Sequence, residues 1–453
     1  MFTLKAHMNL LNFDFQFLRR ILLPFVALLV ACGGGSGGSS SSGGAPLLVA
    51  PVLSNLAFSP AAAYVNSGGG TVTVTGTVTV AGANSGVASV TISVVDASGA
   101  TVSSNTTDVV GGAAVTSGVL QGTVTAGTSA VGNYSVRVSL VDKSGLTSNT
   151  LTGNFKISAN PWSSYAAMPN ARTKFALAAA NGLAYVFGGE LMGTGITPGP
   201  DSALVEVFNP VTNAWTSTLP LPTARKAPTA AAVNGVIYVI GGYNLEKPGG
   251  LGVVEAFDTN LKTWSTKAPM PTVRFASAAA VVNGLICVVG GQSAGQDLTV
   301  TECFDPLANA WMPKNGMPTF RSYLAADTLD GKILAVGGLS SGNLSGGGPG
   351  VVATTESFDF ARNAWSSLAS MATPREAFAA CSSGGLLYAF GGGNALSRTL
   401  QTVEAFDPAS STWKVKTDMP TALTGLAAVN ISGVIYVFDQ SHSLAYTPAN
   451  ELP

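Results

Sequence analysis

The stretch that decides the fold is Val236-Ile237-Tyr238-Val239-Ile240-Gly241-Gly242, an apolar run that ends in two glycines. It is followed by Glu255-Ala256-Phe257-Asp258 and then by Trp264. This order of apolar run, double glycine, Glu-x-Phe-[Asp/Asn] and tryptophan occurs five times, with 47 to 54 residues between successive glycine pairs. Repetition at such a period indicates a chain built from one supersecondary unit stacked on itself. The glycine pairs are Gly188-Gly189, Gly241-Gly242, Gly290-Gly291, Gly337-Gly338 and Gly391-Gly392.

The six tryptophans of the chain all occupy one phase of this repeat. Together with the glycine pairs they resemble the kelch repeat, over residues 161 to about 450. The resemblance implies a β-propeller in which each repeat is one four-stranded blade. One such sheet cannot bury both of its faces, whereas sheets stacked in a ring can. A bulky indole suits a position between neighbouring blades. These tryptophans are Trp162, Trp215, Trp264, Trp311, Trp365 and Trp413.

The two ends of the repeat region predict how the ring closes. Trp162 precedes the first glycine pair, whereas the last repeat, residues 435–450, contains no tryptophan. The strand around Trp162 is therefore expected to complete the C-terminal blade, which removes a free sheet edge. Five full units and one split unit predict six blades.

An arginine and a glutamate recur at fixed positions in five repeats, and both become leucine in the sixth, at Leu423 and Leu444. Joint replacement indicates that the two side chains contact each other, because a lone buried charge is costly while an apolar pair is tolerated. The alternative is a ring of arginines that binds an anionic ligand. The residues are Arg172, Arg225, Arg274, Arg321 and Arg375, with Glu206, Glu255, Glu302, Glu356 and Glu404.

Composition favours an almost all-β binding or structural protein. The chain has 453 residues, of which 46% are hydrophobic and 10% charged, with 54 glycines. Because Lys plus Arg is 22 and Asp plus Glu is 23, we expect no nucleic-acid partner. Two histidines, His7 and His442, leave little material for a metal site or a general base, and no catalytic motif occurs in a suitable context. We therefore predict no catalytic residues, no metal and no cofactor.

The N-terminus predicts export and a lipid anchor. Arg19 and Arg20 precede an apolar run over residues 21–31, which suits a signal peptide and is too short to span a bilayer. The run ends in Leu29-Val30-Ala31-Cys32, which resembles a bacterial lipobox with Cys32 as the lipidated residue. By the same resemblance, Gly33 after the cysteine implies the outer membrane. The alternative is an ordinary signal peptide with an incidental cysteine.

Four segments follow from these patterns: a signal peptide at 1–31, the lipidated cysteine and a Gly/Ser-rich tether at 32–50, a small antiparallel β-sandwich at 51–158, and the propeller at 159–453. The sandwich is predicted from period-two alternation such as Thr71-Val72-Thr73-Val74-Thr75. It resembles immunoglobulin-like and cadherin-like domains by pattern alone, and we interpret it as a spacer. Asp96 and Asp142 are interpreted as turn residues, with calcium ligation as the alternative.

Cys287, Cys303 and Cys381 remain in the mature chain. Cys287 and Cys303 are predicted on neighbouring antiparallel strands, where a bridge is geometrically possible. Because the spacing shows no disulfide framework, we expect buried free thiols.

For function we expect a monomeric, membrane-anchored module that binds a protein or a glycan. Kelch proteins bind through loops at one end of the channel, here residues 190–203, 243–247 and 339–350, although such Gly-rich loops can equally be connectors. The competing hypotheses are a mutarotase resembling the sialic acid mutarotases, which are also exported six-bladed kelch proteins, and an architectural envelope protein. In relatives that bind acidic peptides, basic residues stand two positions after the repeat arginine. Here that position is mostly small, which argues against a strongly cationic pocket: Lys174, Ala227, Ala276, Tyr323, Ala377 and Gly425.

Overall fold

The computed structural model describes residues 48–65, 70–109, 115–127, 130–192, 199–341 and 350–451. Two compact units divide the chain, residues 1–159 with 452–453, and residues 160–451. The predicted signal peptide and Cys32 lie outside the described residues. Among the described residues, the one helical segment is the 3-10 turn Pro448–Asn450, and no helix is long and apolar enough to cross a bilayer.

The first unit is a β-sandwich of a three-stranded and a five-stranded sheet. Alternation places Val74, Val78 and Val80 of one strand in a core shared by both sheets. The pairing is antiparallel except where Ala62–Tyr64 runs parallel to Lys156–Ser158, which differs from the purely antiparallel sandwich expected. The strands are Val52–Ser59, Ala62–Tyr64, Thr71–Ala81, Val87–Val95, Thr101–Asp108, Gly118–Gly127, Gly132–Asp142 and Leu151–Ser158.

Asp96 and Asp142 both close turns of the sandwich. The Asp96 carboxylate accepts hydrogen bonds from the backbone N–H groups of Ser98 and Ala100, and Asp142 accepts the equivalent pair from Ser144 and Leu146. This is the Asx geometry of a side chain that replaces backbone partners in a tight turn.

The second unit is a ring of six antiparallel four-stranded sheets, which confirms the all-β, six-bladed propeller. Most strands have five residues. We number the blades from the N-terminus and the strands from the channel outward: Ala176–Ala180, Leu183–Phe187, Val205–Asn209 and Ala214–Ser217 in blade 1; Thr229–Val233, Val236–Ile240, Val254–Asp258 and Thr263–Thr266 in blade 2; Ala278–Val282, Leu285–Val289, Thr301–Asp305 and Ala310–Lys314 in blade 3; Ala325–Leu329, Lys332–Val336, Thr355–Asp359 and Ala364–Leu368 in blade 4; Ala379–Ser383, Leu386–Phe390, Val403–Asp407 and Thr412–Lys416 in blade 5; Ala427–Ile431, Val434–Phe438, Ser443–Tyr446 and Trp162–Tyr165 in blade 6.

Two-residue turns join the first and second strands of every blade. Asn234 and Gly235 in blade 2 have φ of 51° and 79°. Positive φ at both central residues defines the hairpin turn whose twist matches that of paired strands, and Asn-Gly is its preferred sequence. Local sequence therefore sets the register of the strands that line the channel.

The N-terminal strand closes the ring as predicted. Trp162–Tyr165 pairs antiparallel with Ser443–Tyr446 and is the outer strand of blade 6. The Trp162 Nε1–H donates to the Thr417 carbonyl at 3.1 Å, beyond the outer strand of blade 5. The other five indoles make the same bond to the segment after the outer strand of the preceding blade, accepted by the carbonyls of Ala166, Leu219, Ala268, Asn315 and Ala369.

The expectation of free thiols at Cys287 and Cys303 is wrong, because the two form a disulfide. They lie directly opposite each other on the second and third strands of blade 3, with Cα atoms 4.0 Å apart. Strand register brings the sulfurs together, and cysteine spacing along the chain carries no such information. Cys381 is a buried free thiol.

Candidate functional site

The repeated arginines and glutamates lie inside the blades, where they face each other. All five arginines are fully buried, and the Arg–Glu pairs of blades 2 to 5 have N–O distances of 2.6 to 2.9 Å. Arg172 and Glu206 make the same contact in blade 1. The guanidinium of Arg321 also donates to the carbonyls of Gly337 and Ala335. Each arginine is thus bonded within its blade and unavailable to a ligand in the channel.

Burial lowers the pKa of Arg225 and Arg274 to about 10, and the charges of Glu255 and Glu302 oppose that shift. Both guanidinium groups therefore remain ionised at neutral pH. An ion pair that stays charged and hydrogen-bonded avoids the cost of a lone buried charge.

In blades 2 to 6 the carbonyl of the arginine, or of Leu423 in blade 6, is bound by the glycine pair of the preceding blade. Gly242 N–H donates to the Arg274 carbonyl at 3.0 Å, and a Cβ atom on Gly241 would lie 2.6 Å from that oxygen. Both glycines have positive φ. Glycine is thus required by close approach as well as by conformation, and the two residues after Arg225, Arg274, Arg321, Arg375 and Leu423 are held at one end of the channel.

The second residue after each arginine, or after Leu423 in blade 6, forms a ring at this end, which we call the mouth ring. Its six members all have left-handed φ between 48° and 66°. Backbone hydrogen bonds of 2.7 to 3.1 Å run from each blade to the previous one from Ala227 round to Gly425. The mouth ring consists of Lys174, Ala227, Ala276, Tyr323, Ala377 and Gly425.

Below the mouth ring lies a central cavity of about 500 Å³, lined mainly by alanines of the first strands. Asp327 is the one carboxylate among its lining residues in the described chain. Its oxygens accept the N–H groups of Thr328 and Ser382 at 2.7 Å, so it joins blade 4 to blade 5. Burial raises the pKa of Asp327, and those two N–H groups oppose the shift.

Two members of the mouth ring, Lys174 and Tyr323, carry long side chains, and they belong to opposite blades. Lys174 Nζ lies 2.6 Å from Glu190. Lys226, the residue after Arg225, lies 3.2 Å from the same Glu190 carboxylate and 3.4 Å from Asp201. Partial burial raises the pKa of Glu190, but the two lysines outweigh it and the pKa is lowered.

Aromatic side chains continue this cluster over blades 2 and 3. Lys226 Nζ lies 5.3 Å from the ring centroid of Tyr243, and the Tyr243 and Phe275 rings are 4.5 Å apart. Tyr243 and Tyr323 both pack against the buried group of Ala227, Phe275 and Ala276. We call this set the mouth site: Lys174, Glu190, Lys226, Tyr243, Phe275 and Tyr323.

Carboxylates flank the mouth site on the side of blades 3 to 5. Asp297 is buried and accepts the Ser341 N–H at 2.6 Å. Glu376, the residue after Arg375, is half-buried, and within the described chain its carboxylate makes no ion pair. Burial and then the charge of Asp297 raise the pKa of Glu376. Burial, assisted by Tyr243, Glu376 and Asp297, also raises the pKa of Tyr323, whereas Lys174 opposes it.

His442 lies in the short turn of blade 6, where its Nδ1 is 3.1 Å from Asp439. Among the described residues, no group of three or more His, Cys, Asp or Glu side chains is placed to hold a metal ion.

Sequence reasoning identified the mouth-ring positions and the loops that begin at Glu190 and Tyr243. It missed Lys226 and Phe275 as members of the mouth site, and Asp297 and Glu376 as the carboxylates beside it. Isolated bridges pair Lys226 with Tyr243 and Phe275 with Gln292. The residue after each arginine therefore lies beside the residue after a glycine pair. A usable signal was present, because these two positions vary between repeats whose other positions are nearly constant.

Comparison with known proteins identifies the repeat. A family model described as the kelch motif matches residues 224–271, 274–318, 321–372 and 374–420, which correspond to blades 2 to 5. A solved structure titled "Structure of YjhT" is similar at 14% identity with a TM-score of 0.49, over 63% of this chain and 96% of that chain.

Proposed function

We propose, from the premise that this chain carries a kelch β-propeller, that it is an exported, lipid-anchored module that binds a glycan or a protein at the mouth of the channel. The mouth site supports a glycan best. The partly exposed rings of Tyr243 and Tyr323 offer flat apolar faces, and the charged groups beside them can hydrogen-bond hydroxyls. Concave sites that combine aromatic walls with a few fixed polar groups are the usual form of small-ligand sites.

The observation that carries this proposal is the loss of repetition at the mouth. Inside the blades, the same arginine, glutamate, glycines and tryptophan recur as scaffold. At the mouth ring four positions are alanine or glycine, whereas Lys174 and Tyr323 reach beyond Cβ. Non-glycine residues with large side chains and positive φ are uncommon and cluster at functional sites.

A binding screen tests the proposal. The mature chain with Cys32→Ser, which keeps it soluble, is applied to a glycan array and to an immobilised peptide library. We expect glycan binding that Tyr323→Ala weakens by about tenfold or more, since aromatic anchors dominate such sites. Tyr134→Ala, in the sandwich, is the control and should leave binding unchanged. Peptide binding lost in Tyr323→Ala would support a protein ligand, and binding that is indifferent to Tyr323→Ala would contradict the mouth site.

A second candidate function is sugar mutarotation, and the environment of Glu376 favours it. Ring opening needs an acid and a base, and Glu376, whose pKa is raised by burial and by Asp297, lies within electrostatic reach of the Tyr323 hydroxyl. Polarimetry on freshly dissolved sugars tests it. Acceleration that Glu376→Gln abolishes would support catalysis, and rates equal to those of buffer would leave binding as the function.

We further propose that Cys32 carries the lipid anchor in the bacterial outer membrane, that the sandwich is an immunoglobulin-like spacer, and that the chain is a monomer. The Cys287–Cys303 disulfide supports export, because such bonds persist in oxidising compartments. Incorporation of an alkyne-tagged palmitate that is lost in Cys32→Ser, followed by membrane fractionation, tests the anchor. Light scattering of the soluble form tests the monomer.

A further inference from the structure

The connections between the second and third strands differ in length from blade to blade. In blades 1 to 5 the second and third strands are joined by residues 188–204, 241–253, 290–300, 337–354 and 391–402, which are 11 to 18 residues long. In blade 6 the same connection is residues 439–442, only four residues. Blade 6 therefore has the shortest of the six connections at this end of the channel.

The short connection of blade 6 is stabilised by side-chain hydrogen bonds that replace the glycine pair of the other blades. Instead of a glycine pair it has Asp439, whose carboxylate accepts the N–H groups of Ser441 and His442 at 2.8 and 2.5 Å. The Asp439 N–H in turn donates to the His442 carbonyl. Asp439 is buried, so these hydrogen bonds are shielded from water and stabilise the short turn.

Small side chains extend this opening into the mouth. On the adjoining part of the mouth ring stand Ala377 and Gly425, and the residue after Leu423 is the exposed Thr424. Gly393 occupies the blade 5 position where blades 1 and 2 have Glu190 and Tyr243. We call this opening the blade 6 gap.

The surface of the blade 6 gap suits a hydroxyl-rich chain. Thr424 and Ser441 are exposed, and the His442 side chain is 43% exposed. Beside them the connection of blade 5 presents Leu396, which is 98% exposed, and the exposed Arg398. The polar side chains of blade 6, together with the apolar and the cationic side chain of blade 5, can contact several successive units of an oligomer.

We propose that the mouth site continues through the blade 6 gap, so that the ligand is an oligosaccharide of several units and not a single sugar. This inference rests on the proposed function. One unit lies at the mouth site, and the following units run outward over blade 6, where the connection is only the four-residue turn 439–442.

Calorimetry with a length series tests the inference. The probes are chito-, cello- and malto-oligosaccharides of one to six units, titrated into the mature chain with Cys32→Ser. We expect affinity to rise by about tenfold or more between one and four units, because each added subsite contributes its own contacts. Thr424→Trp fills the blade 6 gap and should remove this gain while leaving one-unit binding unchanged. Gln440→Trp is a second variant with the same expectation.

Thr216→Trp, on the outer strand of blade 1, is the matched control and should keep the full gain. Affinity that does not depend on length, or a loss in Thr424→Trp that is equal for one unit and for six, would overturn this inference and leave the proposed function intact. If no chito-, cello- or malto-oligosaccharide of any length bound, glycan binding and this inference would both be overturned.

Discussion

Leu423 and Leu444 lie in one buried cluster of blade 6, at the positions where blades 1 to 5 have an ion-paired arginine and glutamate. The propeller thus contains both solutions to the same packing problem, a charged pair and an apolar pair. A buried ion pair loses much of its Coulomb energy to desolvation, so the apolar pair is a fair substitute for it.

This comparison predicts a sharp difference between single and double variants. Arg321→Leu leaves Glu356 buried without its partner and should lower the free energy of unfolding by about 3–5 kcal/mol. Arg321→Leu combined with Glu356→Leu should recover most of that loss. Urea denaturation of the four members of the cycle measures the coupling, and additive losses would contradict a direct interaction.

Closure by Trp162 predicts that the N-terminal strand controls the stability of the C-terminal blade. The Trp162 ring lies 4.9 Å from Tyr446 and 5.9 Å from Phe390, so it packs against both blade 6 and blade 5. Trp162→Ala should cost about 3–5 kcal/mol, the range for buried tryptophan. Thr216→Ala, on the exposed face of another outer strand, should stay within about 0.5 kcal/mol. Equal, small effects of both changes on the unfolding midpoint would argue against closure at Trp162.

The repeat made the blades and their closure predictable, because the glycine pairs and tryptophans act locally and recur in order. The mouth site was not predictable to the same degree. Lys174 and Tyr323 come from opposite blades, and their neighbours Tyr243 and Phe275 meet only where blades 2 and 3 pack side by side. A position that varies between repeats indicates a site but does not say which other position faces it.

The disulfide was missed for a related physical reason. Cys287 and Cys303 are placed opposite each other by the pairing of two strands, and that pairing depends on the length of the connection between them. Period and spacing predicted the strands, but a shift of one residue would put the two side chains on opposite faces of the sheet.

Thiol counting gives a prediction from these cysteines. In the mature chain with Cys32→Ser, native protein should show no reactive thiol, because Cys381 is buried and burial raises its pKa well above the usual value. Denaturant without reductant should expose one thiol, and denaturant with reductant should expose three. Ellman's reagent makes the measurement, and three thiols in denaturant alone would contradict the Cys287–Cys303 bond.

Glu376 should limit stability in a manner that depends on pH. Its pKa is raised in the folded state by burial and by Asp297, so the folded protein binds its proton more tightly than the unfolded chain does. Ionisation therefore destabilises the fold. The penalty is absent below the unfolded pKa of 4.5, grows as pH rises, and is complete above the folded pKa.

Removing that charge should consequently raise the melting temperature at pH 7 and leave it unchanged at pH 4. Glu376→Gln is the test, measured by circular dichroism at both pH values. Glu246→Gln, an exposed glutamate on the connection of blade 2, is the control and should have no effect at either pH. A half-buried carboxylate that lowers stability at neutral pH does not act to stabilise the fold. Its presence therefore favours a role in contacting the ligand. If Glu376→Gln lowered the melting temperature at pH 7, the carboxylate would instead be part of the scaffold, and the second candidate function would lose its acid.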